Sequence, residues 1–333
     1  MKVDELQSTL KMLSTVFASS GELISDCFSF FGENAVSAFN GRIGFIASLP
    51  SGIKISGNLP GKSTLDALSV FCGQDVTITD EDTQLVFATD AKEVCVIKSN
   101  LPAGMLAEMS IPADGWKKLP VGFVDAVYRA SLVTYKSPEK PILHYVHCKG
   151  NVVEATDNKQ LYRELIDGEV DNMLLFGQSI KTIKNLNLTE YAIDSGWIFF
   201  RSEETVTVVL RTLESEFVDI ARFLISDGDT TFVFPDCGEF VDKLIPLLNA
   251  EDAPMRVVAD GNKLTLLGQT TKIKVRSKFD WKSDTDFEFS IYPELFKKVN
   301  QMQVKLTTGM RNIIQAVSAD KRMFYTTTLI VQK

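Results

Sequence analysis

"PVGFVDAVYRASLVTY", residues 120–135, returns later in the chain as "PDCGEFVDKLIPLL", residues 235–248. Phe123-Val124-Asp125-Ala126-Val127 recurs as Phe240-Val241-Asp242-Lys243-Leu244, 117 positions on, and each copy opens an amphipathic pattern behind a proline. The N-terminus carries a third version, "VDELQSTLKMLSTVF", in which Leu6, Leu10, Leu13 and Val16-Phe17 come round at helical spacing. A chain that repeats its own helix is read as several copies of one unit.

Working outward, "ENAVSAFNGRIGF" from Glu33 matches "GNVVEATDNKQLY" from Gly150, with Asn34 falling on Asn151, again 117 apart. Both alternate apolar with polar and break at a turn, Asn40-Gly41 or Asp157-Asn158, which predicts a hairpin. "DGNKLTLLGQT" from Asp260 has the same character. "GKSTLDALSVF" at Gly61 then lines up with "GQSIKTIKNL" at Gly177 and "YPELFKKVNQM" at Tyr292. Each follows a strand-like run (53–55, 173–176, 287–291) and precedes an alternating segment. The reading is an α+β chain of three copies of a unit of about 110 residues. Each copy packs two helices on antiparallel sheets. Turn-rich joins near "SIPADGWKKLP" and "LISDGDTTFVFP" set the expected domains at 1–112, 113–228 and 229–333.

The composition, 45% hydrophobic and 23% charged over 333 residues, is that of an ordinary globular protein with apolar material for large cores. No apolar run approaches the roughly 20 residues that span a bilayer, so no membrane partner is expected. Met1-Lys2-Val3-Asp4-Glu5 does not open a secretory leader. Five scattered cysteines without a paired spacing suit reduced thiols, and the expected location is cytoplasmic. A net charge of −8 excludes a protein that coats nucleic acid over its whole surface, but not one with a local basic face.

"SGNLPGKST", residues 56–64, resembles a phosphate loop, whose pattern is Gly, four residues, then Gly-Lys-Ser/Thr. The first glycine should fall at Ser56; Gly57 is one residue late, too near for the amides to curl round a phosphate. The sister copies, Gly177-Gln178-Ser179 and Pro293-Glu294-Leu295, lack the motif. A helix start capped by Ser63 or Thr64 is the expectation, with a nucleotide-hydrolysing enzyme as the remote alternative. "HYVHC" at 144–148 hints at metal, but strand residues three apart face opposite ways and no further ligands cluster nearby. With only two histidines and no nucleophile elbow, no catalytic residue, cofactor or metal is assigned.

The second helices carry Lys62, Lys181, Lys184, Lys297 and Lys298 against only Asp66 and Glu294. The first helices add Lys11, Arg129, Lys136 and Lys243, diluted by Asp4, Glu5, Glu239 and Asp242. A single such lysine is ordinarily a solvated residue on the wet side of a core-packing helix. Together they predict one common basic surface, an electrostatic track for phosphates in an acidic protein.

A threefold unit of this order with basic helices resembles the DNA polymerase sliding clamps, specifically the three-domain bacterial beta-clamp type. "VEATDNKQLYREL" is similar to a strand–turn segment of that family, with Ala155, Thr156, Asp157 and Leu161 in its pattern. "RTLESEFVDIARFLI" resembles the strand and crossover that end its second domain, Phe217-Val218-Asp219 standing where Phe-Pro-Asp is usual. "FEFSIYPELFKKV" resembles the helix opening of the third domain. The likeness covers the whole chain in layout and is sharp between about 117 and 300. Asn158-Lys159-Gln160 replaces the family's Gly-His-Arg, and "TTTLIVQK" departs from its usual ending, a divergence that suits a bacteriophage-encoded member.

The resemblance implies a ring of two chains joined head to tail through edge strands, closing round duplex DNA without reading its sequence. It implies a processivity factor rather than an enzyme, with a DNA polymerase and a clamp loader as partners. It also implies a pocket for partner peptides, nominating Thr156, Asn158, Lys159, Gln160, Leu161 and Leu224, and more loosely Leu329 and Val331. The alternative of another class is a clamp-like interaction protein that does not encircle DNA.

Overall fold

The structure, a computed structural model, describes residues 3–17, 26–32, 34–100, 111–135, 139–202, 206–224, 231–282, 286–300, 302–307 and 313–329. The nominated Lys136 and Val331 lie outside the described residues. Six α-helices are present among them: α1 (Val3–Ser14), α2 (Gly61–Ser69), α3 (Phe123–Ser131), α4 (Gly177–Ile183), α5 (Gly238–Asn249) and α6 (Pro293–Val299). The order helix, strands, helix, strands occurs three times along the chain, and α2, α4 and α6 begin 116 positions apart at each step.

The helices form where the apolar spacing placed them. Val3, Leu6, Leu10 and Leu13 of α1 are fully buried, one stripe at 3.6-residue periodicity, while Asp4 and Glu5 sit at the positive end of the helix dipole. Burying four such side chains contributes on the order of 6–12 kcal/mol of gross hydrophobic stabilisation. That exceeds what propensity alone supplies to a helix this short. In α3 the repeated motif buries Phe123, Ala126, Val127 and Ala130; in α5 it buries Val241, Leu244 and Leu248.

Every strand pairing among the described residues is antiparallel, so tight turns can join neighbours. Strands Ala35–Phe39 and Ile43–Ser48 form the first expected hairpin, with Asn40 Oδ1 accepting the Arg42 and Ile43 amides and Gly41 at φ +85°. Met255–Asp260 and Lys263–Gln269 form the third, turning at Gly261. At the second, Asn158 takes φ +74°, a left-handed conformation that asparagine tolerates better than most residues.

The chain parts into two compact units, one of residues 1–128 with 173–215 and the other of 129–172 with 216–333. In the first, an eight-stranded sheet runs from Gly57–Pro60 to Lys117–Lys118, and strand Ile43–Ser48 pairs with Val206–Arg211 in its middle. That pairing carries the sheet across the expected join at 112/113. A three-stranded sheet of Thr77–Asp80, Gln84–Ala88 and Glu93–Ile97 completes it. In the second unit, a six-stranded sheet pairs Gln160–Phe176 with Met323–Thr328, across the join at 228/229. Beside it stands a four-stranded sheet whose order places Lys274–Asp280 at one edge and Phe287–Ile291 at the other. Phe232, Phe234, Trp281, Phe287 and Phe296 interlock in this unit, in tilted, stacked and edge-on pairs with ring centroids 4.8–6.3 Å apart.

Candidate functional site

The stretch that resembles a phosphate loop is a close-packed helix start. Gly61 opens α2, and a Cβ there would stand 2.4 Å from Phe17 Cε2 and 2.9 Å from the Asp26 carbonyl oxygen. The expected side-chain cap is absent, and this corrects the sequence reading. The buried Thr64 hydroxyl donates back to the Pro60 carbonyl at 2.7 Å, while Ser63 is exposed and caps nothing. Hydroxyls satisfy a backbone carbonyl in this way inside a helix, so the residue serves as donor rather than acceptor. Ser56, at the first-glycine position, donates both its amide (3.0 Å) and its hydroxyl (2.9 Å) to Asp80, which also holds Lys98 at 2.6 Å. A carboxylate therefore occupies the ground a phosphate would need.

The basic residues nominated for DNA divide into two groups. Lys11, Lys62 and Lys181 are exposed and make no ion pair among the described residues, and Lys184 is exposed with its ammonium 3.9 Å from the centre of the Tyr128 ring. The others are turned to protein partners. Lys243 meets Glu239 one turn away at 2.6 Å, and Lys297 of α6 meets Asp242 of α5 at 2.6 Å. Arg129 forms a two-pronged pair with Glu164, at 2.7 and 3.0 Å, and its Nε also reaches the Tyr162 hydroxyl. The Glu164 hydrogen bonds push the Arg129 guanidinium further up, and burial with the same carboxylate pushes the Tyr162 phenol up. Lys298 is half-buried, donating to Gln160 Oε1 at 2.8 Å. Arg129 and Lys298 thus depart from the expected solvated helix face. Their spacing put them on the right helices, but only tertiary neighbours decided where their long side chains went.

His147 and Cys148 are likewise engaged in the protein. His147 Nδ1 lies 2.8 Å from Glu154 and Nε2 lies 2.9 Å from Asn172 Oδ1, with the ring stacked on Phe217. Cys148 is fully buried, and burial pushes its thiol up.

In the second unit, Thr156, Asn158, Lys159, Gln160 and Leu161 line one cavity of about 210 Å³. Its remaining wall is Val218, Asp219, Ile220, Phe223, Ile313, Thr326, Thr327 and Thr328. The turn at 157–159 is held from several sides. Asp157 Oδ1 accepts the Lys159 and Gln160 amides, both at 2.8 Å; Thr156 Oγ1 accepts the Asn158 amide and donates to the Gln160 carbonyl. The Lys159 carbonyl accepts the Thr328 amide at 2.9 Å, which ties the turn to the end of strand Met323–Thr328. Leu161 is buried in the floor, whereas Val218 and Phe223 are 39% and 44% exposed at the rim. Val218 and Phe223 thus leave apolar surface in water beside a concave site.

Leu224 is half-buried and does not line this cavity; Phe223, at the end of the short 3-10 turn Ala221–Phe223, and Ile220, just before that turn, stand in its place. Leu329 is half-buried and outside the lining as well, three threonines before it supplying that wall. Val218, Phe223 and Ile313 escaped the sequence reading. The quoted Phe217-Val218-Asp219 held the only signal, two apolar residues running into a turn former.

No protein-family model matches the sequence, and no curated protein matches it. Solved structures do. The DNA polymerase III beta chain of Streptococcus pneumoniae is similar over 99% of this chain and 98% of its own, with a TM-score of 0.86 at 15% identity. The beta subunit of Streptococcus pyogenes DNA polymerase is similar over 100% and 99%, with a TM-score of 0.85 at 14% identity. The Helicobacter pylori beta clamp, solved bound to a DNA ligase peptide, is similar over 99% of each chain, with a TM-score of 0.79 at 14% identity. This chain has the fold of the bacterial beta sliding clamps. Across the clamp fold the likeness is one of backbone course, end to end. At this identity few side chains are shared, so the likeness is of fold alone and assigns no role to the exposed lysines or the rimmed cavity.

Proposed function

We propose that the chain is a DNA polymerase processivity factor, a sliding clamp. The observation that carries the reading is the end-to-end likeness of fold to bacterial clamps, 99% of this chain against 98% of the pneumococcal one. In this reading the chain performs no reaction. Two copies, each of three repeated units (1–112, 113–228, 229–333), close head to tail round duplex DNA. Lys11, Lys62, Lys181 and Lys184 meet passing phosphates without regard to sequence. The cavity beside the turn at 157–159 takes the peptide of a polymerase or of the loader, and tethering raises the polymerase's local concentration at the primer end.

Complementary edges support the head-to-tail closure. Strand Glu93–Ile97 is an edge of the three-stranded sheet, and residues 75–93, the part of that sheet leading into it, carry six acids against one lysine. Strand Lys274–Asp280 is an edge of the four-stranded sheet, and residues 272–282 around it carry five basic residues against one acid. Ile97 and Ile273 are 72% and 42% exposed on these edges. Unlike charges, exposed isoleucines and unfilled ladder groups suit edge-to-edge pairing of one copy with the next.

The test is a solution mass together with retention on DNA. A mass near twice 37.0 kDa and retention on nicked circles but not on short linear DNA are expected. A strict monomer that slides on neither would overturn the clamp and favour a clamp-fold interaction protein that does not encircle DNA.

A further inference from the structure

Lys297 and Lys298 are neighbours on α6 with different destinations. Lys297 stays exposed beside Asp242, whereas Lys298 turns back toward the sheet that holds the cavity. Its ammonium donates to Gln160 Oε1 at 2.8 Å and lies 5.2 Å from the Tyr325 ring centre. The Tyr325 hydroxyl donates to the same oxygen at 2.7 Å, and Gln160 Nε2 donates to Asp157 Oδ2 at 2.7 Å. The amide oxygen thus faces two donors and its nitrogen a carboxylate, an arrangement that admits one orientation only. The other oxygen of Asp157 holds the amides of Lys159 and Gln160, which shape the turn lining the cavity. Tyr325 is 4% exposed and burial pushes its phenol up, so it remains a donor at any physiological pH.

We propose that Lys298 is a positioning residue of the partner cavity and not a phosphate contact: from α6 it fixes the Gln160 amide and, through Asp157, the turn that a bound peptide would touch. The inference rests on the reading of that cavity as a partner site. Three features carry it. The lysine bond is charge-assisted, the strong kind. Asn158, Lys159 and Gln160 themselves line the cavity, so a shift of the turn moves its wall. And the donor comes from a residue 138 positions away in sequence, so no local preference can replace it.

The experiment uses the full chain with Lys298→Met, which keeps the aliphatic stem and removes the donor, beside Lys298→Arg, Lys297→Met, Gln160→Ala and the Lys298→Met/Gln160→Ala double variant. Amide hydrogen exchange is followed at Lys159 and Gln160, peptide binding with a fluorescein-labelled copy of the ligase peptide bound by the H. pylori clamp, and DNA binding by retention on nicked circles. Lys298→Met and Gln160→Ala are each expected to speed exchange in the turn and weaken the peptide by about tenfold, the loss of one charge-assisted bond. The double variant should add little, because the two residues act in series. Lys298→Arg should restore most of both, Lys297→Met should move neither, and retention of Lys298→Met should stay within about twofold of wild type. Unchanged exchange in Lys298→Met overturns the proposal, and so does a loss of DNA retention without a loss of peptide affinity. A wild-type chain that binds no peptide sinks the partner-site reading, and the proposed role with it. In that case faster exchange in Lys298→Met would show the latch to be real and the fault to lie with the reading of the cavity.

Discussion

Replacing Gly61 by alanine tests whether the Gly-Lys-Ser-Thr stretch is there for packing or for phosphate. The added Cβ would lie 2.4 Å from Phe17 Cε2, 3.0 Å from Phe17 Cδ2 and 2.9 Å from the Asp26 carbonyl oxygen. None of these atoms can give way freely: Phe17 is backed by the fully buried Phe28, ring centroids 5.0 Å apart, and the Asp26 oxygen belongs to the main chain. Overpacking of this kind costs about 1–3 kcal/mol. Gly238 supplies the control, since it also opens a helix and gains the same helical preference from alanine. There the nearest atoms are side-chain atoms, Asp236 Oδ1 at 3.3 Å and Asn300 Nδ2 at 3.7 Å, and they can yield. With about 2 kcal/mol lost from a unit of this size, Gly61→Ala should lower the first calorimetric transition by about 4–8 °C. Gly238→Ala should move its own transition by less than about 2 °C. Adding ATP to the wild-type chain should leave both transitions in place. Equal midpoints for the two variants would refute the close approach, and a rise with ATP would restore the phosphate-loop reading.

Three further outcomes follow from the same reasoning. Lys274→Glu, Arg276→Glu and Lys278→Glu together should turn the head-to-tail dimer into a 37.0 kDa monomer by sedimentation. Reversing Glu93 and Asp90 to lysine in the partner copy should restore the dimer, which an interface built elsewhere would not permit. Lys181→Glu with Lys184→Glu should weaken retention on circular DNA and flatten its log–log salt dependence by about 0.9 for each phosphate the helix no longer neutralises; an unchanged slope would remove α4 from the DNA surface. Ellman's reagent at pH 8 should modify the exposed Cys72 quickly and the exposed Cys95 more slowly, because desolvation and the neighbouring Glu93 hold the Cys95 thiol up. It should leave Cys237, whose thiol burial pushes up to about 12, at a thiolate fraction of about one in ten thousand until the chain unfolds. Fast reaction of more than three thiols, the half-buried Cys27 counted among them, would contradict the burial of Cys148 and Cys237.

What the sequence by itself determined is whatever short-range physics controls. The stripe of Val3, Leu6, Leu10 and Leu13 had to be a helix because 3.6-residue periodicity puts those side chains on one face. Asn40-Gly41 and Asp157-Asn158 had to be turns because their residues accept left-handed backbone or bond their own amides. The recurrence of Phe-Val-Asp 117 positions apart marks the repeat in the sequence itself. The turn residues of the cavity, 156 to 161, were legible because they are contiguous and closed by their own hydrogen bonds.

What only the tertiary structure decided lies wherever the partner is remote. Gly61 is glycine because Phe17 and Asp26 crowd it, a fact no count of residues from Ser56 could supply. The rim residues Val218, Phe223 and Ile313 join the turn only when strands distant in sequence align. Arg129 and Lys298 carry the same charge as the exposed lysines and likewise stand on helices, yet Glu164 and Gln160 draw them inward. A long flexible stem, three carbons in arginine and four in lysine, can reach water, phosphate or a protein acceptor with little difference in local energy, so its destination is set by what the rest of the chain places within reach.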